Sequence, residues 1–179
     1  MGITKTPPPA KLVAGVLLAN PPETKAPLFT LLERAFGPID RSTAPALFDK
    51  TDYYSREMGS PLFRVFISFA PLVDPGALPE IKRSTNAMEA ILLNEKGGRR
   101  VNIDPGLLTL QNFVLATTKN YSHRIYLSEG IYGDLTLIFQ NGQYRPLPWT
   151  YPDYRDEATR RFLRAVRETY KAQLKERKR

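Results

Sequence analysis

KLVAGVLLAN, residues 11–20, is a continuous apolar run, and its length and composition are typical of a strand buried on both faces of a sheet. Asn20-Pro21-Pro22 ends the run. The following segment PLFTLLERAF, at 27–36, carries apolar residues at helical spacing and stops at Gly37-Pro38. The sequence therefore predicts a buried strand followed by an amphipathic helix.

The same patterns recur further along the chain. Residues 43–58 are irregular but rich in strand-forming residues, and LFRVFISFAPL at 62–72 is a clear strand. A second helix is predicted over 78–94, and RRVNID at 99–104 is a further strand, which Pro105-Gly106 closes as a turn. This β-α-β-β-α-β order predicts an α+β fold with a ferredoxin-like core.

The rest of the chain predicts a β-rich C-terminal extension and a terminal amphipathic helix. Four more strands are expected, the last two joined by a two-residue hairpin turn at Asn141-Gly142. The expected organisation is a disordered Pro-rich leader at 1–10, a single α/β domain at 11–175 with its terminal helix within 155–175, and a basic tail at 176–179.

The chain of 179 residues has no cysteine and one histidine, His123. Disulfides, thiolate metal sites, a cysteine nucleophile and a multi-histidine metal site are therefore excluded. The first thirty residues lack the order of a signal peptide, and the apolar part of 11–20 is too short to span a bilayer. We expect a cytoplasmic protein without a membrane partner, and its oligomeric state stays open.

The net charge of +8 is concentrated at the C-terminus. Residues 155–179 carry ten Lys and Arg against four Asp and Glu, which leaves +2 for the rest of the chain. This basic segment is either a solvated helix end or a surface that binds RNA or another polyanion through salt-sensitive contacts.

Carboxylates and amides occur together in two segments. Asn102 and Asp104 lie on the predicted strand at 99–104, where they either form an Asx-type turn or line a site. On the second helix, Asn86 and Glu89 fall beside the apolar stripe, as part of either a solvated face or the same site. Asp104, Glu89 and Glu57 are the acids available to such a site if they converge. We expect Asp104 and Glu89 to bind Mg²⁺, and Asp104 is a candidate catalytic proton carrier.

A cationic cluster occupies TTKNYSHR, residues 117–124, where Lys119, His123 and Arg124 fall within six residues at a strand connection. Arg can bind a phosphate or carboxylate with two hydrogen bonds, Lys adds a point charge, and His can carry a proton. These residues are either an anion site with His123 as the catalytic proton carrier, or surface cations at a turn. No Gly-x-Ser-x-Gly motif accompanies His123.

Aromatic residues flank these clusters. In WTYPDYR, at 149–155, they either stack on a ring of a ligand or hold the C-terminal helix to the sheet, with Asp153 as the N-cap of that helix. YYSREMGSPLFR, at 53–64, offers the same two alternatives for Tyr53, Tyr54, Glu57 and Arg64.

The segments TDYYSREMG, KRSTNAMEA, VNIDPG, LATTKNYSHRIYL, GIYGDLTL and PWTYPDYR, in this order, resemble a bacterial family of proteins with a domain of unknown function. The resemblance covers residues 11–174, and some members of the family are labelled GTP-binding. This chain has Asn120 and Tyr121 after Lys119, where the guanine-reading motif of GTPases would have its Asp, and it has no Gly-x-x-x-x-Gly-Lys-Ser/Thr phosphate loop. The resemblance implies a site shared by these segments but no known activity.

We therefore expect one polar site, formed by Asn86, Glu89, Asn102, Asp104, Lys119, His123 and Arg124. Its expected ligand is a small phosphorylated or carboxylated molecule, which includes a nucleotide with Mg²⁺, and a reaction there would be hydrolytic or transferase-like. The alternative is a non-catalytic RNA- or protein-binding module that uses the aromatic segments and the basic C-terminal helix.

Overall fold

The computed structural model of the protein describes residues 2–177, without the side chain of Pro22. Residue 1 of the predicted leader and residues 178–179 of the predicted basic tail lie outside the described residues. Residues 2–9 have no regular secondary structure, and all but Pro9 are exposed.

Nine strands and five helices follow. The strands are β1 (Ala10–Ala19), β2 (Ile39–Ser42), β3 (Ala46–Leu47), β4 (Leu62–Val73), β5 (Val101–Leu108), β6 (Asn112–Thr117), β7 (Arg124–Ser128), β8 (Ile131–Gln140) and β9 (Gln143–Pro146). The helices are α1 (Pro21–Phe36), α2 (Ser55–Met58), α3 (Leu78–Ile91), α4 (Pro152–Arg155) and α5 (Glu157–Glu176), with a 3-10 turn at Pro75–Ala77 before α3.

All nine strands belong to one antiparallel sheet. Its order is β2-β4-β1-β5-β6-β8-β7, with β3 beside β2 on β4 and β9 paired with β8. β1 lies inside the sheet because its side chains, apart from Lys11, are apolar on both faces, and residues 10–18 are all buried.

Helices cover both faces of this sheet. Leu12, Ala14 and Val16 of β1 pack with apolar residues of α1 and α3 on one face. On the other face, Val13 packs in a cluster that includes apolar residues of α4 and α5. The alternation of side chains along β1 therefore places two hydrophobic cores on opposite sides of one sheet.

The long helix α5 is tied to the sheet by polar contacts as well as by its apolar stripe. The Tyr170 hydroxyl donates to the carbonyl of Pro9 at 2.8 Å, and the Arg167 guanidinium donates twice to the carbonyl of Leu110 at 3.1 Å. No helix within residues 2–177 has both the length and the apolar character needed to cross a membrane.

The predicted ferredoxin-like core is wrong. The elements expected to form that core are part of a single nine-stranded sheet, in which two short strands, β2 and β3, both pair with β4, and β6 to β9, predicted as a β-rich extension, continue beyond β5. The helices lie on both faces rather than one. The protein is thus an extended, β-rich, nine-stranded antiparallel sheet between two helical layers, and chain order alone did not reveal how far the sheet extends.

The predicted turn at Pro105-Gly106 is also wrong, since β5 runs through both residues to Leu108. Gly106 lies where β5 and β6 approach closely: a Cβ atom there would lie 2.7 Å from the carbonyl oxygen of Val114 and from the Phe113 ring. Glycine therefore permits this strand contact rather than a chain reversal.

Candidate ligand-binding cleft

The sheet opens between β5 and β6. The two strands pair only from Gly106 to Leu108, so the β5 backbone before Gly106 has no strand partner on that side. The N–H of Ile103 instead donates to Glu89 at 2.7 Å, and its carbonyl accepts from Lys82 Nζ at 2.7 Å. Pro105 faces the same edge two residues later and has no N–H to offer a neighbouring strand. Two side chains of α3 therefore replace a strand, and a gap remains in the sheet.

The helix residues at this gap are buried. Lys82 and Glu89 are seven residues apart, which places them on one face of α3, and both are buried. Burial raises the pKa of the Glu89 carboxyl, although Lys82, the Ile103 N–H and Arg99 oppose this shift. Their hydrogen bonds to β5 fix both side chains, since a buried charged group without partners would be costly.

Lys82 and Glu89 together form a clamp on the backbone of β5. A hydrogen-bond chain runs from Glu89 of this clamp to Asp104. Arg99 donates to Glu89 and, at 3.2 Å, to Asn102 Oδ1, while the Asn102 amide donates to Asp104 Oδ2 at 3.0 Å. Arg99 also holds both carboxylate oxygens of Glu57, at 2.6 and 2.8 Å, which lowers the pKa of that carboxyl. Glu89 of α3 and Asn102 and Asp104 of β5 are thus connected in one network through Arg99.

Two adjoining cavities open at the gap. The first has a volume of about 380 Å³ and the second about 350 Å³. Asp104, Lys119, Tyr53 and Tyr151 line both cavities, so the two form one continuous cleft. A volume of this order is typical of sites for small molecules.

Buried charges line the first cavity. Arg64 Nη2 lies 2.9 Å from Asp153, and Arg64 Nη1 lies 3.4 Å from Asp104. Burial alone would lower the pKa of Arg64, but Asp153, Tyr154 and Asp104 more than offset it, so that its pKa lies above the ordinary value. Burial raises the pKa of Asp153, and Arg64 opposes this shift. Arg64 is therefore a permanent cation that forms ion pairs with two carboxylates, Asp104 and Asp153.

Three atoms of these lining residues lack hydrogen-bond partners in the described part of the chain: Arg64 Nε, Asp153 Oδ2 and Tyr154 Oη. The Arg64–Asp153 contact is an ion pair without hydrogen-bond geometry. Gly15 makes room for the Tyr154 hydroxyl, because a Cβ atom at residue 15 would lie 2.4 Å from the hydroxyl oxygen. Such unsatisfied groups cost stability, and binding sites are one place where proteins keep them.

Arg124 holds the far wall of the cleft. Its guanidinium donates to Asp134 at 2.9 Å, to the carbonyl of Lys119 at 3.0 Å and to the Tyr151 hydroxyl at 2.6 Å. Asp134, Lys119 and Tyr151 all line the first cavity, whereas Arg124 does not. The planar fork of an arginine makes these three bonds from three separate nitrogens, whereas a lysine would have to make them from one.

His123 lies behind the same wall. Its Nε2 is 3.3 Å from Asp134, and its ring stacks on Trp149 with centroids 4.8 Å apart. His123 lines neither cavity. It touches the cleft through Asp134, whereas Asp104 lines the cleft directly.

Five of the seven predicted site residues meet in the second cavity: Asn86, Glu89, Asn102, Asp104 and Lys119. The other two, His123 and Arg124, support the wall of the first cavity through Asp134.

The carboxylates predicted to bind Mg²⁺ both have cationic neighbours. Arg64 and Lys82 lie 3.4 and 3.9 Å from Asp104, and Arg99 binds Glu89. Within residues 2–177, no group of three His, Asp or Glu side chains is arranged to hold a metal ion. The Mg²⁺ assignment therefore stays a prediction.

Among the charged residues of the cleft, sequence reasoning missed Lys50, Arg99 and Asp134, and it misassigned Asp153. The predicted N-cap role is wrong: α5 begins at Glu157, and Asp156 precedes it, while Asp153 pairs with Arg64. A usable signal existed for Asp134, because a single acid within the apolar strand IYGDLTLIFQ is typical of a buried, paired charge.

Comparison with known families gives one match. A family model described as Domain of unknown function (DUF4416) matches residues 8–170. No curated protein and no solved structure matches the chain.

Proposed function

Because the chain belongs to the DUF4416 family, whose description gives no function, we propose a function from the cleft itself: the protein binds a small phosphorylated or carboxylated ligand between β5 and β6. The ligand's anionic group lies where the two cavities meet, beside Lys119. Its uncharged polar part extends into the first cavity.

The charge of Lys119 supports this proposal most strongly. Lys119 Nζ contacts the Tyr53 hydroxyl at 2.9 Å and the Tyr53 ring at 4.5 Å from its centroid, and it forms no ion pair with a carboxylate in the described chain. The other cations of the cleft, such as Arg64, Arg99 and Lys82, each have acidic neighbours. An anion in the cleft would therefore find its strongest attraction at Lys119.

The surrounding groups suit the rest of such a ligand. Thr117 and Thr118 line the second cavity near Lys119 and can donate hydroxyl hydrogen bonds to an anion. Asp104 and Asp134 line the first cavity and can accept hydrogen bonds from ligand hydroxyl or amino groups. Tyr54 and Tyr151 supply aromatic surface for a sugar or a planar ring.

Asp104 is the residue we propose for a proton-transfer step, should the ligand react. It lines both cavities, whereas His123 reaches the cleft only through Asp134. A hydrolytic or transferase-like reaction would thus use Asp104 as its proton carrier.

A thermal-shift screen tests the binding proposal. The purified chain is mixed with nucleotides, sugar phosphates and small carboxylates, each with and without Mg²⁺, beside Lys119→Gln, Asp104→Asn and Lys96→Gln. We expect at least one compound to raise the midpoint of the parent and of Lys96→Gln, whose side chain lies outside both cavities. The same compound should not shift Lys119→Gln. A compound that shifts all variants equally contradicts the proposed site.

The alternative function rests on the outer face of α5. Arg160, Arg161 and Arg164 line a shallow surface pocket with Tyr144, and Arg161 has one exposed acidic neighbour, Glu157, at 3.9 Å. We propose this face as the polyanion-binding surface if the protein is an RNA-binding module. RNA binding here should weaken steeply with salt and on Arg161→Gln with Arg164→Gln, whereas a ligand of the cleft should respond to neither change.

We also propose the cytoplasm as the location of the protein, in keeping with the sequence-based expectation. Fractionation of cells that express the chain tests this location.

A further inference from the structure

The two cavities of the cleft differ in their chemistry. Half of the residues that line the first cavity are aromatic or apolar, whereas charged groups, amides and threonines make up most of the lining of the second. The aromatic side chains of the first cavity are Phe48, Tyr53, Tyr54, Tyr151 and Tyr154. The cleft therefore has an aromatic half and a polar half, and Lys119 lines both.

The buried residues of the lining form the inner wall of the first cavity. Three of them are apolar or aromatic: Leu115, Ala116 and Tyr154. The charged side chains of this wall are almost closed to a ligand, since Asp134, Asp153 and Arg64 are 2%, 7% and 8% exposed. Arg64 pairs with Asp153, and Arg124 holds Asp134 from behind. The inner wall thus offers a ligand mainly apolar and aromatic surface.

A sugar and a planar ring place different demands on such a wall. A sugar carries several hydroxyl groups, and each hydroxyl that is buried without a partner weakens binding at least about fivefold. Asp104, whose side chain is 26% exposed, is the most accessible carboxylate of the first cavity. A planar ring leaves no hydroxyl to satisfy, and its contact with a tyrosine ring strengthens binding about two- to tenfold beyond the burial of its surface. The lining therefore favours a ring over a sugar.

The aromatic half begins directly beside the proposed anion site. Lys119 Nζ lies 4.5 Å from the centroid of the Tyr53 ring, and the Tyr53 and Tyr54 rings meet edge to face with centroids 5.0 Å apart. Tyr151 is linked to the same place, because Arg124 donates both to its hydroxyl and to the Lys119 carbonyl. An anion at Lys119 thus has aromatic side chains from two separate segments of the chain beside it.

We infer that the ligand of the cleft carries a planar aromatic ring next to its phosphate or carboxylate group. The ring lies in the first cavity against Tyr54 and Tyr151, and the anionic group lies at Lys119. This inference rests on the proposed function and names the class of compound that the cleft takes: an aromatic phosphate or carboxylate rather than a sugar phosphate.

Isothermal titration calorimetry of the full chain with three anions tests the inference. Inorganic phosphate measures the anionic contact alone, phenyl phosphate adds a planar ring, and glucose 6-phosphate adds a sugar of similar size. We expect phenyl phosphate to bind at least about tenfold more tightly than either of the other two, because its ring buries apolar surface without burying hydroxyl groups.

Two substitutions of Tyr151 form a matched pair. Tyr151→Leu and Tyr151→Phe both remove the hydroxyl that accepts from Arg124, but only Tyr151→Leu removes the ring. Tyr151→Leu should weaken the binding of phenyl phosphate at least about threefold relative to Tyr151→Phe. The two variants should bind inorganic phosphate equally, and circular dichroism shows whether each is folded.

The outcomes separate the ring from the anion site. Phenyl phosphate that binds no more tightly than glucose 6-phosphate overturns the inference, and so does an equal loss of phenyl phosphate binding in folded Tyr151→Leu and Tyr151→Phe. If inorganic phosphate still binds the parent and not Lys119→Gln, the proposed anion site remains without the ring. Binding of none of the three anions, or binding that Lys119→Gln leaves unchanged, contradicts both the anion site and the inference.

Discussion

Tyr53 and Lys119 are the residue pair on which the ligand proposal depends, and their contact has a measurable consequence. The hydrogen bond from Lys119, together with its positive charge, lowers the pKa of the Tyr53 phenol below its ordinary value near 10. In an ultraviolet absorbance titration, we expect one tyrosine to ionise before the other eight of the chain. Lys119→Gln should raise the pKa of this tyrosine, and Tyr53→Phe should remove the early step.

A Tyr53→Phe variant that retains the early ionisation contradicts the assignment. If an anion binds at Lys119, inorganic phosphate should raise the pKa of Tyr53, because the phosphate and the phenolate compete for one ammonium group.

Tyr154→Phe tests how much the unpaired hydroxyl in the first cavity lowers the free energy of unfolding. The Tyr154 Oη is buried without a hydrogen-bond partner in the described chain, so its removal should raise the free energy of unfolding by about 1 kcal/mol. Tyr170→Phe is the matched control: its hydroxyl donates to Pro9, and its loss should lower the free energy of unfolding by about 1 kcal/mol. Urea denaturation measures both, and equal losses would show that Tyr154 is satisfied in solution.

The same side chain predicts an alkaline pH dependence. Burial holds the pKa of Tyr154 well above 10, while an unfolded tyrosine ionises near 10. Above pH 10 the unfolded state therefore loses a proton that the folded state keeps, so stability falls as the pH rises. In Tyr154→Phe this decline should be shallower than in the parent. An unchanged slope would exclude Tyr154 as its source.

The sequence revealed those single residues that differ in polarity from their neighbours in the chain or that lie in a polar connection. Asn102 and Asp104 interrupt an apolar strand, and Lys119 lies in a polar connection, so each could be named as a candidate. Tyr154 could not be identified in this way. Its unpaired hydroxyl results from its position over Gly15, a contact between residues far apart in the chain.

The unpaired edge of β5 shapes the cleft, and side chains of α3 form hydrogen bonds with the backbone of this edge. Lys82→Met removes the donor to the Ile103 carbonyl and leaves that buried oxygen without its partner. We expect the free energy of unfolding to fall by about 1–3 kcal/mol. Lys96→Met, an exposed change of the same kind, should leave it nearly unchanged.

Urea denaturation of these two variants measures the difference. If Lys82→Met is as stable as Lys96→Met, a water molecule or a shift of the strand replaces the hydrogen bond from Lys82 to the Ile103 carbonyl. The stability of the fold then does not depend on this bond. Hydrogen exchange at Ile103 gives a local reading, since its amide donates to the neighbouring clamp residue Glu89.

Single elements were more predictable than their partners. The Asn141-Gly142 turn is confirmed: it joins β8 to β9, and both residues have positive φ, 51° and 78°. Pro105-Gly106 has equally strong turn chemistry but lies inside β5. Contacts with distant segments explain why Pro105-Gly106 does not form a turn. β1 pairs with β5 along its length, and α3 supplies the contacts that a strand partner would otherwise make.

The whole molecule shows why the ferredoxin-like prediction failed. Periodicity identified most strands and the terminal helix, but whether later strands join the first sheet or form another is decided by contacts between distant segments. Here β6 and β8 continue the sheet beyond β5, and α5 covers the second face. The cleft exists only in that larger sheet, because one of its walls comes from β5 and the other from β6 and β8.

The most direct test of the cleft is a crystal soaked in tungstate, a tetrahedral dianion that mimics phosphate and is located by its anomalous scattering. We expect tungsten within contact distance of Lys119, at the junction of the two cavities, and no such peak in crystals of Lys119→Gln. Tungsten bound only to the outer arginines of α5, with none at Lys119, would contradict an anion site at the split between β5 and β6.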